Sequence, residues 1–206
     1  MNSYISSVIF IFLLGGTVFY IRARRGLFKG FNVHELVTIA VFCSLLYIAG
    51  LPFKFGLSRI PFIHAFTYSI PFTAVLFIGI RLVPKLGTAT LIIFGHSLLS
   101  QIISRGINPL WWPYALLAGF VLELYFLLCR SYLESRANVL GAGLLRGLVV
   151  YIYFYYISAP YIWHIFYAPW YIFVQTLQGV IGSGIGALIG FSLSKPIISA
   201  YRHGGL

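Results

Sequence analysis

The chain has 206 residues and a formal net charge of +11, yet only 8% of its residues are charged and 60% are hydrophobic; its mean hydropathy is +0.95. This composition excludes a water-soluble domain, and polar gaps of at most about ten residues leave no room for a soluble ATPase module between the apolar runs. The basic residues are spread over successive breaks, an arrangement that suits anionic headgroups and topology setting and excludes a nucleic-acid partner.

In chain order, apolar stretches of bilayer-crossing length are predicted at about 4–21, 33–51, 62–80, 86–104, 110–129, 139–158 and 171–193. The first could be read as a signal peptide. Its basic residues follow the apolar run rather than precede it, and no small-x-small site comes before Arg22, so a retained helix is expected. Pro52 and Pro61 are expected to bracket the next loop, Pro84-Lys85 and Asn108-Pro109 separate later spans, residues 130–138 form the most polar linker, and Lys195-Pro196 closes the last span.

Charge orients this array. With the first loop cytoplasmic, the inside holds Arg22, Arg24, Arg25, Lys29, Arg81, Lys85, Arg130, Arg136, Lys195 and Arg202, and the outside only Lys54, Arg59 and Arg105. The positive-inside rule then puts the N-terminus outside and the C-terminus in the cytoplasm. Residues 1–30 form an added N-terminal helix and basic loop, and residues 31–206 a six-helix membrane core.

Within the spans, two charges stand out. Glu123 and Arg146 sit about seven residues from the cytoplasmic ends of the fifth and sixth spans, roughly 10 Å inside the boundary. An ion pair between neighbouring helices is the simplest way to hold both in lipid; a substrate, proton or partner contact is the alternative. Small residues recur every fourth position at Gly182, Gly186 and Gly190, at Gly143 and Gly147, at Ala115 and Gly119, and at Ala40 and Ser44. Such stripes let helix backbones approach, within the bundle or against another membrane subunit.

Residues 151–173 (YIYFYYISAPYIWHIFYAPWYIF), in which Pro160 and Pro169 are expected to break helix continuity, carry far more rings than a helix end needs at a membrane interface. They read equally as an aromatic belt or as the wall of a site that stacks on a flat ligand. The candidate wall comprises Trp111, Trp112, Tyr153, Tyr156, Trp163 and Trp170, with His164, Gln175 and Gln178 as polar contacts. Charge is nearly absent at that level unless Arg59 or Arg105 reaches in, so a neutral or weakly cationic heterocycle is expected. No catalytic constellation, metal-ligand spacing or phosphate loop occurs, and the chain has no Asp; neither an enzyme nor a bound cofactor or metal is expected. Cys43 and Cys129 are expected to be reduced packing residues.

The segment VTIAVFCSLLYIAGLP, the run YALLAGFVLELYFLL and the Gly-rich last helix together resemble the substrate-binding S component of energy-coupling factor (ECF) vitamin transporters. The resemblance covers about residues 32–200 and implies an all-α polytopic fold with a six-helix core; the first helix is an addition to it. It further implies a vitamin-like ligand captured from outside, a lid formed by about residues 52–61, and docking of Ala40 and Ser44 on a transmembrane coupling subunit driven by paired ATPases. Ser44 replaces the usual second Ala of the docking motif. A structural subunit of a larger complex, for example a respiratory one, is the competing reading; it takes the aromatic and Gly stripes as permanent contacts.

Overall fold

The structure is a computed structural model that describes residues 2–24, 30–55, 63–104, 106–129 and 133–203. The lid expected at 52–61 lies largely outside these residues, as do Arg59 and Arg105.

Seven helices account for nearly all of it: α1 (Asn2–Arg24), α2 (Val33–Phe55), α3 (His64–Leu82), α4 (Thr88–Ser104), α5 (Trp112–Cys129), α6 (Arg136–Tyr153) and α7 (Pro169–His203). No strand occurs among the described residues. Among the described residues, six helices are long and apolar enough to cross a membrane, and α4, with 17 residues, is at the short limit for a span. The protein is a multi-pass membrane protein. Chain direction alternates, so Arg24, Arg81, Lys85, Arg136 and Lys195 share one end of the bundle, the basic end. The 3-10 turn Pro109–Trp111 and the aromatic segment after α6 share the other, the aromatic end.

Local chemistry sets the helix starts. Asn32 and Glu35 form a reciprocal capping box at α2: Glu35 N–H donates to Asn32 Oδ1 and Asn32 N–H to Glu35 Oε2, both at 2.8 Å. Lys85 closes on the same carboxylate at 2.6 Å. Ser135 caps α6 by accepting from Asn138 N–H at 3.2 Å.

Three proline expectations need correction. α2 runs through Pro52 to Phe55, and α7 runs through Pro196 to His203. Each ring removes one ladder hydrogen bond, which a helix near its end tolerates. Pro160 likewise does not end its helix. α6 continues as a π-helical segment, Phe154–Trp163, whose wider turn takes the ring in. His164, left-handed at φ 56°, stops it, and Ile165 N–H donates back to Ala159 carbonyl at 3.2 Å.

The glycine stripes are seams inside the bundle. α3 and α7 run parallel, and a Cβ added at Gly182 would lie 2.6 Å from Phe66 carbonyl oxygen, one at Gly190 2.6 Å from Ala74 carbonyl oxygen; Gly186 meets Ile70 in the same way. Gly147 meets Val180 Cα of the antiparallel α7 at 2.7 Å. Backbones this close exclude any side chain. α1 packs on α5 through Ile11, Leu14 and Val18, with the Phe120 ring seated against Gly15, and leaves Phe10, Phe12, Leu13 and Phe19 exposed to lipid.

Candidate functional site

On the side of α3 and α6 away from the glycine seam the helices stand apart. α3, α4, α5 and α6 enclose a cavity of about 440 Å³ with the π-helical segment at its rim. Its mouth, at the aromatic end, is framed by Trp111, Phe154 and Trp163. Trp111 and Trp163 meet edge-on with centroids 5.1 Å apart, Phe154 and Trp163 at 5.3 Å, and Trp111 lies near-parallel to Phe154 at 6.5 Å. Side chains this large cannot interdigitate as the glycines do, so they prop the helices open.

One wall belongs to α4. Ser97, Ser100 and Gln101 occupy one helical face and line the cavity. Gln101 joins this wall to the mouth: its Oε1 accepts from Asn108 N–H at 2.8 Å while its Nε2 donates to Ser97 Oγ at 3.2 Å. Asn108 Oδ1 in turn accepts from Leu110 N–H at 3.0 Å and fixes the 3-10 turn that presents Trp111. The opposite wall is α3, with Tyr68, Ser69 and Phe72; His96 of α4 sets its ring edge-on to Phe72 at 5.2 Å. From α6, Tyr151 donates to Ala65 carbonyl at 3.0 Å and shares a 2.9 Å hydrogen bond with Ser69.

Arg146 also lines this cavity, although it is only 5% exposed. Its Nη1 donates to Thr73 Oγ1 at 2.9 Å and to Ser183 Oγ at 3.3 Å, and its guanidinium lies over the Phe72 ring at 4.5 Å. The expected ion pair with Glu123 is not formed. Glu123, 1% exposed, turns to α4, where Oε1 accepts from Ala89 N–H at 2.9 Å and Thr90 N–H at 3.3 Å. The carboxylate thereby satisfies the first-turn amides of a helix whose positive end faces it. Matching depth along two helices does not match their rotation: the two side chains leave opposite ways. The cavity thus has one cation, Arg146, in its lining.

Of the expected ligand wall, the cavity gathers Trp111 and Trp163. Trp112 instead packs edge-on to Phe94 at 6.0 Å. Tyr153 faces α1, with its hydroxyl 3.2 Å from Ser7 Oγ. Tyr156 lines a separate recess of about 380 Å³ among Tyr155, Tyr167 and Ile172. Trp170 and His164 are exposed. Gln175 is buried and Gln178 half-buried, both outside the cavity, because they share the helical face of Gly182, which is committed to α3. The cavity therefore lies among α3–α6, and most of the expected wall does not meet there. The residues not anticipated are Tyr68, Ser69, Phe72, Ser97, Ser100 and Tyr151. The i, i+3, i+4 run of Ser97, Ser100 and Gln101 in an otherwise apolar helix was the available signal. Ala40 and Ser44 are both exposed on α2, beside exposed Val37, Val41 and Leu45.

No protein-family model matches the chain, and no curated protein matches it. Among solved structures, the crystal structure of an S-component of ECF transporter is similar over 86% of this chain and 88% of its own, with a TM-score of 0.62 at 20% sequence identity. A tight α3–α6–α7 seam, an aromatic-mouthed cavity beside it and this similarity lead to one conclusion: the chain has the fold of an ECF-transporter S component.

Proposed function

We propose that this protein is the membrane-embedded substrate-binding subunit of an ECF-type importer. It captures a small, flat, vitamin-like heterocycle and passes it on with a transmembrane coupling subunit and paired ATPases; any ATP hydrolysis belongs to those partners. The observation that carries the reading is the cavity of about 440 Å³ in a bundle of this fold, with rings at the mouth for stacking and hydroxyl and amide groups below for orientation. A structural subunit of a larger complex has no need of such an opening. The excess of Lys and Arg at the basic end supports an orientation with that end cytoplasmic and the cavity mouth outside.

Docking is assigned to the exposed α2 face around Ala40 and Ser44, where small side chains allow close approach of a partner helix. Ala40→Trp tests it. Transport in cells carrying the complete importer should fall to background, while the purified variant keeps its ligand affinity and its melting temperature. Loss of ligand binding with the complex intact would place this face inside the bundle and refute the assignment.

A further inference from the structure

We propose that the ligand carries one carboxylate, and that Arg146 is its receptor at the inner end of the cavity. This inference rests on the reading of the cavity as the ligand site. Arg146 is a buried cation without a carboxylate opposite it. The chain has three acidic residues. Glu35 is held by Lys85, Glu123 binds the first amides of α4, and Glu134 is exposed in the linker at the basic end. Two neutral hydroxyls and the Phe72 ring face do not neutralise a charge in a low-dielectric interior, so an unbalanced guanidinium here is costly unless an anion joins it.

The geometry points the same way. Both protein hydrogen bonds pass through Nη1. Nε is buried without a partner. The Nε–Nη2 edge, the one that takes a carboxylate side-on with two parallel N–H···O bonds, is thereby left unused by the protein on a residue that lines the cavity, with Nε itself covered. Thr73 and Ser183 come from α3 and α7, so the guanidinium is held from two helices before ligand arrives. One cation balances one negative charge; a phosphate monoester would bring a second into the same apolar surround. With Trp111, Phe154 and Trp163 at the mouth, the ligand is a planar ring bearing a single acid group on its inward side.

The test compares an acid with its own amide on the full-length purified protein in nanodiscs. Pyridine-3-carboxylate against pyridine-3-carboxamide, and indole-3-acetate against indole-3-acetamide, differ in charge while keeping the ring. Isothermal titration calorimetry should show each acid binding roughly tenfold tighter or more than its amide, the range of a charge-assisted hydrogen bond. Arg146→Gln should erase the difference by weakening the acids alone, and Arg146→Lys should restore part of it. The acid–amide ratio in the unmodified protein stands whether or not the variants fold. Equal binding of acid and amide would overturn the carboxylate receptor and leave the cavity reading intact. Absence of binding by all four probes would overturn the cavity as a small-molecule site, and the receptor with it.

Discussion

Two faces of the same helices behave in opposite ways. Toward α7, α3 and α6 meet glycines, and the approach is so close that carbonyl oxygens stand where a Cβ would go. Toward α4 and α5 the same two helices present Tyr68 and Phe72, and a cavity opens that Arg146 and Tyr151 reach from the border with α7, where Arg146 meets Ser183 and the Tyr151 ring lies against Gly179. The first face spends its contacts on rigidity. The second is lined by bulky or polar groups whose hydrogen-bonding capacity is only partly used within the chain. The difference separates scaffold from candidate site without reference to any single motif: residues of minimal volume hold the wall still, and bulky and polar residues line the cavity beside it.

The contrast is broken most severely at the seam. Gly182→Leu forces a side chain against Phe66 carbonyl and should cost about 3 kcal/mol or more, read as a large loss in thermal stability in detergent. A well-tolerated Leu there would mean that α3 and α7 are not in close contact.

The two buried charges sharpen the contrast at smaller scale. Glu123→Ala strands the Ala89 and Thr90 amides and should cost about 2–3 kcal/mol. Arg146→Met removes an unbalanced charge at the expense of two hydroxyl contacts, and should change stability by about 1 kcal/mol or less. With no shared partner, the double variant should equal the sum of the singles to within about 0.5 kcal/mol. A rescue of Glu123→Ala by Arg146→Met in chemical unfolding would restore the ion pair that the geometry denies.

These residues also mark where the sequence was legible. Helix number and order followed from apolar runs interrupted by basic residues, because a bilayer imposes length and charge placement directly. Helix ends at Pro52, Pro160 and Pro196 did not, since a proline near a terminus or in a π-helical turn costs too little to stop a helix. Trp111 and Trp163 were recognisable as ring-bearing residues at the aromatic end. Arg146 is visible in the sequence as a buried charge with Glu123 or a substrate, proton or partner contact as its expected counterpart, but the choice between them is not, because distance along a helix is written in the sequence and rotation about its axis is set by packing. For the same reason Gln175 and Gln178 pointed elsewhere: the face of Gly182 is committed to α3.

The central claim is that the α3–α6 cavity holds the ligand, and native mass spectrometry tests it most directly. The protein is purified from its own membrane beside Ser100→Trp, which places an indole in the cavity without touching the glycine seam. The unmodified protein should carry a small molecule as a discrete added mass, and Ser100→Trp, with an unchanged melting temperature, should have lost it. The same added mass at the same occupancy in both proteins would contradict the account.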